Sequence, residues 1–531
     1  MDDDEIIKFR QKEEKCNNIK ILNQKQFSKF LFIIKNIIFI LLLLSFFYLN
    51  KKINNSNDYT PTSIKEDNIN NNDKIDLNLI NDEDETKINE VIYEVKNCSD
   101  IDPINLFKKR LDNGPIEICK SKTTKHICYG NFNNTFNDIY AHKNGVICLM
   151  ENIILNPLKS EQSGLYYKGP VDHIYLGFPI LHQGFFNTKC KYNNILQNYN
   201  EIYNTYFNSW NYKYKGNKKE KIEELAPGKT ILFISRNQDS PNLYHGNSEI
   251  INVISMMDLF NLESKDIQIV FLESIVIPQD PFYDIYKYVI SKGTEPLYIR
   301  NLKKKYKISK AIHVPINWDS PAYLNLDFPK CDKPTKTYQL YNDLVNKYLN
   351  LTKFKDSFIF NKNIFYYPKS IINELKHHQN FIKTVTIQWR QVWPKGRTGQ
   401  FRILGNGKKL ADKLASKLPK NILIRLIDTA KLPMNEQISI IRSTDYLVGI
   451  HGAGLSLSIF LPSKSILHEI LHENNLKVLT MMSALSGHVT FSDIIMADVK
   501  NINDNEYVFF DANDFAEKVL NHLNEIHFFE N

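Results

Sequence analysis

The sequence predicts an α/β fold, and three observations carry the expectation. Beyond residue 230, short apolar runs rich in Ile, Leu and Val alternate with segments of helical spacing, the pattern of parallel strands joined by crossover helices. Thr444 to Ile470, TDYLVGIHGAGLSLSIFLPSKSILHEI, runs without a break through strand, glycine loop, short helix, proline stop and second strand. The predicted strands at Ile231, Thr384 and Tyr446 each lead into a polar or charged loop carrying Arg236, Arg390 or His451. In open α/β sheets that edge is where ligands bind.

The chain has 531 residues and a formal net charge of +8, a modest excess that gives no reason to expect a nucleic-acid partner. Residues 1–29 are polar and mixed in charge. Phe30 to Leu49 is almost wholly apolar, broken by Lys35, Asn36 and Ser45, and suits a bilayer core roughly 30 Å thick. A cleaved signal peptide competes with an uncleaved signal anchor; the long preceding segment and the lack of a small-residue cleavage site favour the anchor. Lys20, Lys25 and Lys29 on one side and Lys51 and Lys52 on the other leave orientation open. The sequons at Asn54, Asn97, Asn133 and Asn350 all follow the span, which places 1–29 in the cytosol and the rest in a lumen. Residues 50–95 are dominated by Asn, Asp, Lys, Glu and isolated Ile, too poor in apolar surface to offset ordering entropy, and read as a flexible stem.

Of seven cysteines, Cys16 precedes the span and Cys98, Cys119, Cys128, Cys148, Cys190 and Cys331 follow it. Six cysteines in an oxidising compartment predict three disulfides of open connectivity. No C-x-x-C pair supports zinc binding by them, and no metal site is expected. The remaining length implies two domains, 96–380 and 381–531.

In the first domain the predicted strands Ile231 to Ser235 and Ile267 to Glu273 flank a helical segment, Ser248 to Leu262, whose Ile250, Ile251, Ile254, Met257 and Leu259 share one side. At the end of the strand and the start of the helix lie Arg236, Asp239, Asn242, His245 and Glu249. His245 and Glu249 are one helical turn apart, so a carboxylate can orient an imidazole or itself take a proton from a hydroxyl. A purely structural reading stands beside this one: Asn247 or Ser248 caps the helix and Glu249 favours its positive end.

The second domain opens with the strand Thr384 to Trp389, followed by Arg390, a loop carrying Lys395, Arg397 and Arg402, and a helix from Asn406. Arginines at a strand end suit bidentate contact with a diphosphate, though a solvated basic loop has the same composition. Asn421 to Ile427 is the next strand and Asn435 to Arg442 the next helix; Tyr446 to Ile450 then leads to His451, Gly452, Ala453 and Gly454. The glycines free the backbone for unusual torsions and close ligand approach, and the following helix aims amides at an anion. Their spacing does not fit G-x-G-x-x-G, which disfavours an NAD site.

The run EQISIIRSTDYLVGIHGAGLSLSIFLPSKSILHEI resembles the signature of glycosyltransferase family 61, a strand ending in G-x-H-G-A-G-L followed by F-L-P and a strand ending in Glu. Asn242-Leu243-Tyr244-His245 is similar to the family's N-(L/M)-(Y/F)-H element, with Glu249 where members usually have Asp. Arg390, Arg402 and Asn406 resemble its strand-ending arginine and R-x-(I/L)-x-N element. Coverage runs over residues 230–475, with a weaker cysteine-containing match before it. Ser456 and Leu457 depart from the family's usual Thr and His or Asn.

The resemblance implies a GT-B architecture of two facing Rossmann-like domains, nucleotide sugar held by the C-terminal one and acceptor by the N-terminal one. It implies an inverting transfer of a sugar, GlcNAc or xylose first, from a UDP-sugar to a glycoprotein or glycan hydroxyl, in a type II Golgi membrane protein, with the endoplasmic reticulum as alternative. No cofactor is required, the UDP-sugar being a co-substrate. The implied roles are donor binding by Arg390, Arg402, His451, Gly452, Ala453, Gly454 and Glu469, with Glu469 on the ribose. Glu249 is the first candidate base, then His245, then Asp239; Arg236 and Asn242 lie near the site. The alternative is a non-catalytic lumenal binding protein that retains the fold.

Overall fold

The computed structural model describes residues 97–130, 146–160, 167–168, 174–175, 181–192, 206–216, 220–236, 242–272, 280–316, 330–351, 364–376, 381–392, 402–471, 478–503 and 505–529. The predicted tail, membrane span and stem (1–29, 30–49 and 50–95) lie outside them, as do Cys16, Asn54, Asn133, Asp239, Lys395 and Arg397. Among the described residues, no helix is long and apolar enough to cross a membrane.

Two sheets organise the chain, one built from residues 116–313 and one from residues 365–494. In the first, β1 (Ile116–Lys120), β2 (Lys125–Tyr129) and β3 (Ile147–Leu155) form an antiparallel ribbon. It continues antiparallel onto a parallel block of β4 (Thr230–Ile234), β5 (Ile267–Phe271), β6 (Leu297–Tyr298) and β7 (Tyr306–His313), in the order β6-β5-β4-β7-β3-β2-β1. Strands β4 and β5 are buried at every position, as TILFI and IQIVF should be when covered on both faces. From β4 the chain builds outward to β5 and β6, then crosses back to place β7 on the other side of β4, which puts the order reversal between β4 and β7.

The crossover from β4 to β5 is α2 (Leu243–Leu259), preceded in sequence by α1 (Pro103–Asp112). Asn242 caps α2, its side chain accepting from Tyr244 N at 3.0 Å. The helix thus begins earlier than a cap at Asn247 or Ser248 requires, and Asn247 is instead committed to tertiary hydrogen bonds. Nor is α2 one-sided: Gly246 through Met257 are all buried, because α1, α3 (Lys336–Tyr348) and a 3₁₀ helix of the second half, Ala453–Phe460, pack around it. A helix buried all round sits inside a core, and its polar members Asn247, Ser248, Glu249, Asn252 and Ser255 are buried with it.

The second sheet runs β8-β10-β9-β11-β12-β13, comprising β8 (Phe365–Tyr366), β9 (Lys383–Gln388), β10 (Ile422–Ile427), β11 (Tyr446–Ile450), β12 (Ile466–Leu471) and β13 (Val489–Ile494). All are parallel except the edge strand β8. Its helices are α4 (Gly407–Lys417), α5 (Met434–Arg442), α6 (Val478–Leu485) and α7 (Ala512–Glu525). Predicted strand and helix ends shift by a residue or so, as element ends do. Glu469 is displaced more meaningfully: it lies inside β12, paired with Gly449, and not at the strand's exit. A three-stranded sheet of Ile403–Leu404, Asn505–Phe510 and Ala497–Ile502 flanks this half.

The six cysteines form three disulfides, Cys98–Cys331, Cys119–Cys190 and Cys128–Cys148. The sequons at Asn97 and Asn350 are exposed. One hydrophobic core joins the halves: it takes Ile250, Ile254 and Met257 from α2, Ile438 and Ile441 from α5, and Leu455, Leu457 and Ile459 from the 3₁₀ helix.

Candidate functional site

Strand order locates the site before any side chain does. In the second sheet β9 lies between β10, the next major strand in sequence, and β11, reached by crossing back. This is the 2-1-3-4-5 order of a doubly wound sheet, whose ligand crevice opens at the carboxyl ends of the first and third strands. Those ends are Gln388-Trp389-Arg390 and Ile450-His451-Gly452.

Arg390 lies on the glycine loop itself. Its Nη1 makes a long contact, 3.5 Å, to His451 O, and occupies the place a side chain at 452 would need: a Cβ there would stand 2.0 Å from Nη1. A Cβ at 454 would stand 2.2 Å from Gln388 Nε2. Neither glycine takes the left-handed backbone that favours glycine, Gly452 being extended at φ 167°. The glycines are therefore needed for close approach by the side chains of Arg390 and Gln388, and not for the unusual torsions also expected. The 3₁₀ helix begins at Ala453, where its first amides are not yet committed to helical bonds.

His451 is fixed from below. Its Nδ1 lies 2.5 Å from Glu469 Oε1, with the histidine side chain 16% exposed and the glutamate fully buried. With the carboxylate as acceptor, Nδ1 carries the proton and Nε2 is left to a ligand. Glu469 Oε2 is buried without a hydrogen-bond partner among the described residues, and burial turns this carboxylate toward orienting His451. Arg402 is half-buried, with φ 61° and its amide donating to Glu506 Oε1 at 3.2 Å. Left-handed backbone at a residue with a Cβ is strained by about 1–2 kcal/mol, and such strain collects at functional sites. Leu404 N donates to Arg390 O at 2.9 Å, which lays the 402–404 segment beside the exit of β9. Asn406 is structural, its amide exchanging hydrogen bonds with the Phe510 backbone. Beyond β10, Lys431 bridges Asp428 at 2.9 Å and Gln391 at 2.9 Å on the same edge; burial raises the Asp428 carboxyl above its usual range against the pull of Lys431.

The residues of the first half divide. Arg236 is buried, paired with Asp280 and stacked 3.9 Å from the Phe271 ring centroid. Glu249 is 3% exposed and accepts from the Tyr286 hydroxyl at 3.2 Å; Tyr286 belongs to a π-helical turn, Ile285–Ile290, and its phenol is pushed well up by burial and then by Glu249. Both acids and Arg236 act on this tyrosine electrostatically, which makes Arg236, Asp280, Glu249 and Tyr286 one buried network. His245, one turn earlier on α2, is half-buried with its ring 5.6 Å from that of Tyr244.

A directional chain of hydrogen bonds fastens the start of α2 to the glycine loop. The Tyr341 hydroxyl donates to Asn247 Oδ1 (3.0 Å), Asn247 Nδ2 to Ser456 Oγ (3.1 Å), and Ser456 Oγ to Ala453 O (2.7 Å). The structure thus brings Arg390, Arg402, His451, Gly452, Ala453, Gly454 and Glu469 to one sheet edge, with Asn242 and His245 on the helix clipped to it and Arg236 and Glu249 sealed behind. Sequence reasoning missed Gln388, Tyr286, Asp280 and Asn247's role. Only Gln388 leaves a local trace, as the last polar residue of the strand predicted before Arg390.

No curated protein matches the chain. Residues 275–467 match the family model Glycosyltransferase 61. The match takes in β9, Arg390, Arg402 and the whole glycine loop, begins after α2, and stops two residues before Glu469. Arising over the segment that builds the sheet-edge site, this match indicates a glycosyltransferase and makes that segment similar to family 61.

Proposed function

We propose that the chain is an inverting glycosyltransferase of GT-B type, with 381–531 as nucleotide-sugar domain and 96–380 as acceptor domain. It takes a UDP-sugar, GlcNAc or xylose, as donor, requires no cofactor, and transfers to a hydroxyl of a glycoprotein or glycan. The observation that carries this is the convergence of Arg390, the His451–Glu469 pair and the open amides after Gly452 at the switch point of the second sheet. A diphosphate seated there meets the guanidinium, the loop amides and His451 Nε2, and Arg402 on the neighbouring segment adds a second positive charge.

The chemistry is a single displacement. The acceptor oxygen attacks the anomeric carbon as its proton passes to a base; the bond from that carbon to the diphosphate oxygen breaks, and the nucleoside diphosphate leaves with the electron pair. Arg390 and the loop amides counter the charge that grows on it. Accessibility reverses the order of the candidate bases within the described residues: His245 is half-buried beside the clamp to the loop, whereas Glu249 is sealed against Tyr286. His245 is the base in this reading, and Glu249 holds the tyrosine network behind it. Disulfides and exposed sequons fit a lumenal body, and the apolar run 30–49 fits a type II Golgi anchor.

Release of nucleoside diphosphate from a panel of nucleotide sugars tests the reading. Arg390→Ala should lose donor binding with its circular dichroism unchanged, and His245→Ala should keep donor binding and lose turnover by about 10²–10⁴-fold. Near-normal turnover in His245→Ala removes it as base, and donor binding undiminished in Arg390→Ala removes the diphosphate seat. A folded protein inert toward every donor would instead favour a binding protein that retains the fold.

A further inference from the structure

We infer that His468, Asp493 and His522 form a binding site for a divalent transition metal, zinc by its donor set, which fastens the C-terminal helix to the second sheet. The three come from separate elements: His468 from the middle of β12, Asp493 from β13 and His522 from the last turn of α7. One ligand atom from each of the three lies within 4.8 Å of the other two, and Asp493 Oδ2 is 2.9 Å from His468 Nε2 and 2.6 Å from His522 Nε2. Two imidazoles and a carboxylate are ligands that zinc takes, with a fourth position for water.

His468 supplies an independent sign. It is fully buried, and its Nε2, though 2.9 Å from Oδ2, lacks the alignment of a hydrogen bond to it. A buried nitrogen aimed into the space among three ligand atoms is what a metal would satisfy. The outer partners are also in place: the Tyr446 hydroxyl lies 2.9 Å from His468 Nδ1, and the Phe491 ring stacks on His522 at 3.8 Å. Such contacts fix ring orientation in metal sites. The other charged neighbours are Lys518 Nζ, 4.0 Å from Asp493 Oδ1, the oxygen not offered to the metal, and Glu525 Oε2, 3.8 Å from His522 Nδ1. Successive side chains of a strand point to opposite faces, so His468 faces away from Glu469 and the His451 loop. The site is structural and separate from glycosyl transfer.

Full-length protein, purified and dialysed against metal-free buffer, should carry about one equivalent of zinc by mass spectrometry. Cobalt(II) in its place should give the visible absorption of a four-coordinate site. His522→Gln, which keeps an amide to meet Asp493, should lose the metal while retaining its circular dichroism, and Tyr446→Phe should weaken cobalt binding by about 10–100-fold. Chelation should lower the melting temperature of the parent and leave that of His522→Gln unchanged. A parent protein with no bound zinc and no cobalt spectrum overturns the proposal, and so does a His522→Gln chain that binds cobalt as the parent does.

Discussion

Replacing Gly452 by alanine tests whether the glycine loop serves Arg390. The backbone there is extended at φ 167°, so alanine adopts it without strain, and the fold should survive. The new methyl carbon would stand 2.0 Å from Arg390 Nη1 and 3.3 Å from Cζ. Ordinary contact begins near 3.4 Å, so the guanidinium must retreat by more than 1 Å. A misplacement of about 1 Å in a positioning group can reduce rate by roughly 10²-fold, or about 2.7 kcal/mol of transition-state stabilisation. The assay is kcat/KM for nucleoside diphosphate release, measured in Gly452→Ala, Arg390→Ala and the double variant. If the methyl acts by displacing the arginine, it should do little once the arginine is gone, giving a coupling energy nearly as large as the single effect. Full activity in Gly452→Ala, or an undiminished loss on the Arg390→Ala background, refutes the reasoning.

Asn247→Ala should cut the chain from Tyr341 to Ala453 and leave the buried Tyr341 hydroxyl without its acceptor. A loss of about 1–3 kcal/mol in denaturant unfolding is expected, together with a raised KM for the donor; Ser456→Ala should reproduce the KM effect with the smaller stability loss. The Cys98–Cys331 bridge spans a sequence separation of 233, so replacing both cysteines by alanine should destabilise by roughly 2–5 kcal/mol in calorimetry. His488 is buried with neither ring nitrogen bonded among the described residues, and burial lowers its pKa to about 4 from 6.5. Because the unfolded chain binds that proton first, stability is full above pH 6.5 and falls as pH drops toward about 4, by about 1.4 kcal/mol per unit for this group. His488→Leu should flatten the melting-temperature profile in that window, and an unchanged slope would show that His488 is not the source.

What was legible in the sequence was whatever is written within one element. Tyr446–Ile450 emerges as predicted because five apolar residues lie between Asp445 and the glycine loop, and alternation of such runs with helical spacing was enough for an α/β fold. The cap of α2 was misplaced because Asn242, Asn247 and Ser248 all have capping chemistry; the choice is made by Tyr341 and Ser456, each roughly a hundred residues or more away in sequence. His-x-x-x-Glu reads the same whether the carboxylate meets solvent or Tyr286, so the sequence offers Glu249 as the first candidate base where the structure buries it. Its burial depends on a turn beyond β5. Glu469 was placed at a strand exit, whereas parallel register sets it opposite Gly449.

These misses share a cause that bears on how the enzyme works. The parts of the site belong to β9, β11, β12 and α2, and no local pattern encodes that the chain crosses back after β10 to place β11 beside β9. Once it does, α2 and the glycine loop share one core, and the chain Tyr341–Asn247–Ser456–Ala453 is satisfied at every link. Close-packed interiors hold such distances rigidly, so the spacing between the start of α2 and the glycine loop is set by packing. On the proposed reading, the base at His245 and the guanidinium of Arg390 are then held in register before substrate arrives, and preorganisation of that kind is a main means by which a site lowers a barrier. Ser456, the residue that departs from the family's usual threonine, is the link where this register is made, and its hydroxyl is the part that threonine shares. Ser456→Thr should accordingly retain donor KM where Ser456→Ala does not, and a loss as large in threonine as in alanine would place the fault in packing around residue 456 and not in the hydroxyl.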